Sequence, residues 1–369
     1  MYENDKRIVM TLDAGGTNFV FSAMMSCKEI VEPIRMPSIN DDLERCLAQV
    51  ETGFRMVEAA LPEAPVAISF AFPGPADYKS GIIGDLPNFK CFRGGVALGP
   101  YLAAKFGIPV FINNDGNLFA YGEALAGILP KINRQLAEAG NSRRYKNLLG
   151  ITLGTGFGAG VVIDGMLLTG DNGCGGDVWL MRNKKMPYAL AEESVSIRAV
   201  KRVYRDLSSD ESVLTPKDIF EIAEGTRKGN ASAAVRSFEE LGEVAADAIA
   251  HALDIVDGVV VISGGVSAAH KYIMPSLISH LRDKLQMLTG EEFPCVQMSV
   301  YDHGNETELA EFLKDESKFI DIPGTDEKVQ YYDTKKTCIA ISELGASRAI
   351  AIGAYTYALS QIDREIPTL

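Results

Sequence analysis

Asp13 closes the apolar run Ile8-Val9-Met10 within the segment Leu12-Asp13-Ala14-Gly15-Gly16-Thr17-Asn18, and a second run, Phe19-Val20-Phe21, follows at once. An acid at the end of a buried strand, two glycines, a hydroxyl and another strand describe a hairpin whose tip can hold a phosphate. Glycines let backbone N–H groups approach an anion closely, and Thr17 adds a hydroxyl donor. Asp13 beside that anion makes sense with a divalent cation between them, since hard cations take carboxylate and phosphate oxygens together. An ordinary tight hairpin with Gly-Gly at its turn is the competing reading.

The chain repeats the device. Leu149-Gly150-Ile151-Thr152-Leu153 leads into Gly154-Thr155-Gly156-Phe157-Gly158, and a further apolar strand follows. Setting Leu12 against Leu153 aligns Gly15 with Gly156, which predicts two halves on related plans facing one polyanionic ligand. Neither run fits G-x-x-x-x-G-K-S/T or G-x-G-x-x-G, so a P-loop and a Rossmann dinucleotide site are both disfavoured. A third element is Asn113-Asn114-Asp115, at the carboxyl end of the strand expected over 109–112, where open α/β sheets bind ligands. A carboxylate there can take the proton of a substrate hydroxyl while flanking amides hold its neighbours. Alternatively Asp115 is the N-cap of the following helix, a geometry that also fixes a carboxylate's direction. A base, two phosphate hairpins and a cation together spell phosphoryl transfer.

These residues resemble a known family. Leu12-Asp13-Ala14-Gly15-Gly16-Thr17-Asn18, Pro73-Gly74, Asn114-Asp115-Gly116-Asn117 and Gly154-Thr155-Gly156-Phe157-Gly158 look like the ROK sugar kinases, members of the actin/hexokinase/Hsp70 ATPase superfamily. The resemblance implies a two-domain α/β, ribonuclease H-like fold with a cleft between the domains. It implies ATP and magnesium as cofactors. Asp13 would lie near the magnesium-bound phosphates, indirectly. Gly15, Gly16, Thr17 and Asn18 would hold ATP from one side, and Gly154, Thr155 and Gly156 from the other. Gly264-Gly265 is similar to the family's adenosine-side turn. Asp115 matches the carboxylate that deprotonates the sugar, and Gly74, Asn88 and Asn114 match sugar-side positions.

Two departures stand beside the agreements. Where ROK kinases usually carry Gly-Glu-Ile-Gly-His, this chain has Gly176-Asp177-Val178-Trp179-Leu180. Asp177 stands for the glutamate; Leu180 cannot stand for the histidine. The family's Cys-x-Cys-Gly-x-x-Gly-Cys zinc loop should follow, but residues 181–191 hold no cysteine or histidine, so no zinc site is expected. Glu192-Glu193-Ser194-Val195-Ser196 retains the next motif, placing Glu192 at a sugar contact or, alternatively, at an exposed helix start. Trp179 could stack on a pyranose or sit in a core or interface. The expected reaction is phosphorylation of a hexose, with glucose first, and fructose or an N-acetylhexosamine as other acceptors. A weakly catalytic sugar or nucleotide sensor is the alternative. Some relatives are repressors with an N-terminal DNA-binding domain, but here the hairpin begins by residue 8, and a kinase is expected.

The bulk numbers agree. The net charge of −13 disfavours a nucleic-acid partner. Six scattered cysteines without a C-x-x-C pair read as reduced thiols, and no apolar run reaches the ~18 residues of a membrane span. The expectation is a cytoplasmic enzyme without membrane or nucleic-acid partners, a homodimer or homotetramer.

Elements must carry these residues into place. Helical spacing marks 41–60, with Leu43, Leu47, Val50, Phe54 and Val57 on one stripe. A third strand is predicted near 30–36, and others over 66–72 and 109–112. Helices are predicted near 97–106 and over 118–126, 190–207, 215–224, 231–256 and 346–362. The second hairpin spans 148–168, and 259–263 is an apolar strand ending in Gly264-Gly265. Stretches 131–146 and 301–337 read as charged surface elaborations. The expected domains are 1–115 with 346–369, small, and 116–345, large.

Overall fold

The first glycine turn forms as the apolar pattern predicts: β1 (Val9–Ala14) pairs antiparallel with β2 (Asn18–Met25), Asp13 opposite Val20. The computed structural model describes residues 2–15, 17–86 and 89–365; Gly16 and Asn88, both expected at the site, lie outside them. After the hairpin come β3 (Lys28–Glu29), β4 (Ile34–Pro37), α1 (Leu43–Ala60) and β5 (Ala67–Ala71). The short pair β6 (Ala76–Asp77) and β7 (Ile82–Ile83) precedes α2 (Leu98–Phe106), β8 (Val110–Asn113) and α3 (Asp115–Ala126). Then follow α4 (Ile128–Glu138), β9 (Leu148–Leu153), β10 (Phe157–Ile163) and β11 (Met166–Leu167). Helices α5 (Ile197–Ser208), α6 (Pro216–Ala223) and α7 (Ala231–Val256) lead to β12 (Val259–Ser263) and α8 (His270–Leu281). The last stretch holds β13 (Lys284–Gln286), β14 (Glu292–Pro294), β15 (Ser299–Asp302) and α9 (Glu306–Leu313). It ends with β16 (Lys318–Asp321), β17 (Lys328–Tyr331), β18 (Lys336–Ile341) and α10 (Ala346–Glu365).

Two units result: Met1–Gly127 with Gly160–Gly176 and Leu344–Leu369, and Ile128–Ala159 with Asp177–Glu343. In the first, the sheet runs β3-β2-β1-β5-β8, with β4 also on β2. Strands β1, β5 and β8 are parallel, as buried strands covered on both faces tend to be. Against one face lies α1, capped by Asp42, whose carboxylate accepts the Arg45 N–H at 3.0 Å. Its stripe of Cys46, Val50, Phe54 and Val57 is buried, and Phe54 meets Phe21 of β2 edge-on at 5.2 Å. On the other face Val9 and Ala67 share a core with Ile352, Tyr355 and Leu359 of α10. Helices α10 and α3 touch backbone to backbone. A Cβ on Gly122 would strike the Ala349 carbonyl, and one on Gly353 the Leu118 carbonyl. That contact holds the helix whose first turn carries Asp115.

The second sheet repeats the plan, with strands in the order β11-β10-β9-β12-β18-β15. β12 lies parallel between β9 and β18, and all five of its residues are buried. Helix α7, opened by Asn230 as cap for the Ala233 N–H, packs against α5, α6 and α8. Among the described residues no helix is long and apolar enough to cross a membrane.

Three expectations about elements are corrected. The stretch 131–146 is not an exposed excursion in its first half: α4 buries Ile128, Leu129, Ile132 and Leu136, and later Tyr145 stacks on Phe312 at 5.6 Å. Four apolar side chains at helical spacing outweigh the charges between them. Residues 301–337 are not merely a surface elaboration, because β15 and the start of β18 lie in the main sheet. Their alternation is masked by the exposed β16–β17 hairpin and by Lys336, buried with Nζ donating to the Glu311 carbonyl at 2.7 Å and paired with Glu316 at 3.0 Å. The helix expected over 190–207 is a single turn at Ala191–Glu193 followed by α5, separated where Ser196 caps the Ala199 N–H.

Candidate active site

Three strand ends line up in the first unit. Asp13 of β1 is in register with Ala71 of β5, and Ala71 with Asn113 of β8. With neighbouring strands about 4.8 Å apart, Asp13 and Asn113 are separated by about 10 Å along the rim. Gly15 closes the first turn, its N–H donating to the Asn18 carbonyl at 3.0 Å, and a Cβ on Gly15 would sit 2.9 Å from that oxygen. The Thr17 carbonyl accepts the Ser38 N–H at 2.9 Å, anchoring the far side of the turn. Gly74 follows β5, with the Tyr78 hydroxyl 3.1 Å from where its Cβ would be.

The helix cap is Asn114, not Asp115: its side-chain oxygen accepts the Asn117 N–H at 2.6 Å. Behind it, buried Asn113 accepts from the Asn114 N–H and from Asn117 Nδ2, both at 2.9 Å. Asp115 is therefore free of capping duty. It is exposed in the first turn of α3, its Oδ1 accepting the Gly116 N–H at 2.9 Å. Among the described residues Oδ2 has no hydrogen-bond partner. A carboxylate with one oxygen pinned and one available is equipped to receive a proton.

The second unit presents two glycine turns at the ends of adjacent parallel strands, Thr152 of β9 being in register with Ser263 of β12. In the first, the Gly154 N–H donates to the Gly156 carbonyl at 3.0 Å. In the second, Gly264 adopts φ +102°, a conformation that favours glycine, and its carbonyl accepts the Ser267 N–H at 3.0 Å. Gly154 and Gly265 have open space where a Cβ would stand, whereas a Cβ on Gly156 would lie 2.5 Å from Glu192. Glu192 is built into this turn. Its Oε2 accepts the Phe157 N–H at 3.1 Å, and its Oε1 pairs with Arg198 at 3.1 Å. That carboxylate, helped by Glu193, holds the Arg198 guanidinium above its ordinary pKa. Arg198 escaped notice in the sequence because a lone arginine on an amphipathic helix reads as solvated surface.

Asp177 opens a short turn, Val178–Leu180, in which Val178 is buried, Trp179 half-buried and Leu180 exposed. The zinc of the family pattern does not fit the residues present, because 181–191 offer no thiolate or imidazole. Magnesium is a different case, because a triphosphate supplies most of its oxygens and exposed Asp13 need contribute only an outer one.

A sequence model of the ROK family matches residues 9–309. A crystal structure of a glucokinase from Parabacteroides distasonis is 59% identical, with a TM-score of 0.91 over 98% of this chain and 99% of that one. A glucokinase from Thermotoga maritima is 27% identical over 303 residues, 72% of this chain and 88% of its own length. An N-acetyl-D-glucosamine kinase from Photobacterium profundum is 30% identical over 188 residues, 47% of this chain and 55% of its own length. Two sheets with the same strand plan, each with glycine turns at its strand ends, and a family match over most of the sequence lead to one conclusion: the chain belongs to the ROK family and has its actin-like ATPase fold.

Proposed function

We propose that this protein transfers the γ-phosphoryl group of ATP to a hexose hydroxyl, with the 6-hydroxyl of glucose as the first candidate. It is a sugar kinase by family and by its similarity to glucokinases; the hexose and the residue roles are the proposal. The observation that carries the roles is the register of Asp13, Ala71 and Asn113 on three neighbouring strands, with Asp115 just beyond. A separation of about 10 Å suits an acceptor oxygen at one end and a metal-bound triphosphate at the other, with about 3–3.5 Å between reacting atoms.

In this reading Asp115 takes the hydroxyl proton as the sugar oxygen attacks the γ-phosphorus, and the bond to the β-phosphate breaks to release ADP. Gly15, Gly16, Thr17, Asn18, Gly154, Thr155, Gly156, Gly264 and Gly265 are the residues proposed to bind ATP. Gly74, Asn88, Asn114, Asp177 and Glu192 hold the sugar. Magnesium, when bound near Asp13, neutralises charge on the β- and γ-phosphates. Leu180 offers no hydrogen bond where the family has histidine, so discrimination among C1- and C2-modified hexoses should be weaker than in a zinc-bearing relative. The similarity to N-acetyl-D-glucosamine kinases makes N-acetylhexosamines the second acceptor class.

An ADP-release assay over glucose, mannose, fructose and N-acetylhexosamines tests the reading, with Asp115→Asn alongside. Glucose should give the highest kcat/KM, and the variant should lose about 10²–10⁴-fold in kcat while still binding both substrates. Near wild-type turnover in Asp115→Asn removes that residue from the mechanism. Absence of turnover with every sugar overturns the kinase reading.

A further inference from the structure

The loop joining Asp177 to Glu192 lacks the family's metal ligands, yet it is tightly organised. We infer that Asn183 is its clip, a positioning residue whose amide, in place of a metal, fixes the two candidate sugar carboxylates. The sugar-binding part of this inference rests on the function proposed above. Asn183 is fully buried, and its side chain makes four hydrogen bonds. Nδ2 donates to the Leu190 carbonyl at 3.1 Å and to Ser194 Oγ at 2.9 Å. Oδ1 accepts the Lys185 and Met186 N–H groups, each at 3.0 Å. Two donors and two accepted bonds complete the capacity of a primary amide. Like a tetrahedral ion, it ties four points of one loop together.

Those points frame the carboxylates. Ala191, just before Glu192, is buried and donates its N–H to the Met181 carbonyl at 2.7 Å. Ser194, two residues after Glu192, is held by Asn183 itself. Toward Asp177 the backbone continues the tie, with the Met181 N–H on the Val178 carbonyl at 3.0 Å and the Leu180 N–H on the Asp177 carbonyl at 3.3 Å. Lys185 then seats the loop on α7 through Glu240 at 2.9 Å and Glu243 at 3.1 Å. A fully satisfied buried amide network is rigid, and deleting its hub strands two N–H groups, a carbonyl and a hydroxyl.

Hydrogen exchange of the ligand-free protein tests the clip without reference to activity. In wild type, amides of 185–194 should be protected, and a zinc chelator should leave that protection unchanged. Asn183→Ala should raise exchange there by about tenfold or more while β9 and β12 stay protected. Should that variant fail to fold, Ser194→Ala, which removes one of the four bonds, must still give a smaller rise confined to the same segment. In the kinase assay Asn183→Ala should raise the sugar KM more than the ATP KM, a split that general destabilisation does not produce. Unchanged exchange in Ser194→Ala and Asn183→Ala, or loss of protection on chelation, overturns the clip. If no hexose is turned over, the function fails but the exchange experiment still decides the role of Asn183.

Discussion

The second glycine turn separates two kinds of glycine that look alike in sequence. A Cβ on Gly154 meets no protein atom, whereas one on Gly156 would lie 2.5 Å from Glu192 Oε2. Gly156→Ala should therefore push Glu192 off the Phe157 N–H and cost about 1–3 kcal/mol of local packing. We expect it to raise KM for both substrates and lower Tm. Gly154→Ala should leave Tm unchanged, so any rise it causes in ATP KM reports on the nucleotide itself. Equal Tm values for the two variants would refute the assignment. At this scale the strand-end acids were legible, because an acid after an apolar run is conspicuous. Asn183 and Arg198 were not: a loop asparagine ordinarily reads as a turn former, and its burial depends on partners up to eleven residues away.

Helices α3 and α10 set the position of Asp115 through contact at Gly122 and Gly353, which leaves no room for a methyl group. Gly353→Ala must spread the pair, and we expect a loss of about 1–3 kcal/mol in urea unfolding together with a lower kcat, since α3 begins at Asp115. A variant with unchanged stability and turnover would show that the two helices have slack. The long periodic elements, α1, α7, α10 and the buried strand β12, were readable from apolar spacing alone. The strand β18 was not, because Lys336 opens it and an exposed charged hairpin precedes it, and α8 has Pro275 within it. In each case burial supplied by other parts of the chain overrides the local pattern.

For the molecule as a whole, one arginine ties the start of the chain to its last helix. Arg7 bonds Asp5 at 2.7 Å and Asp363 at 2.6 Å, and these hydrogen bonds hold both carboxyls below their ordinary pKa. Lowered carboxyl values contribute stability above the unfolded pKa of about 3.9, and that contribution is lost as pH falls through the folded values. Arg7→Met should be less stable than wild type at neutral pH by about 0.5–1 kcal/mol, the scale of partly exposed pairs. The difference should close as pH falls below about 4. Urea unfolding across pH 2–7 measures it, and a gap that persists unchanged at the acid end would assign the effect to packing instead. Two halves on related plans were expected from the paired glycine hairpins, and the two sheets share a strand order, β2-β1-β5-β8 beside β10-β9-β12-β18.

Trp179 is the single tryptophan of the chain, half-buried two residues after Asp177 and at the edge of the loop that Asn183 organises. The protein therefore emits indole fluorescence from one place, and that place adjoins the proposed sugar pocket. Emission from the unlabelled wild-type chain becomes an optical readout of that loop. Sugar titrations and their kinetics can be followed without a coupled enzyme or an attached dye. A substitution elsewhere that alters the emission has, by that fact alone, reached this corner of the molecule.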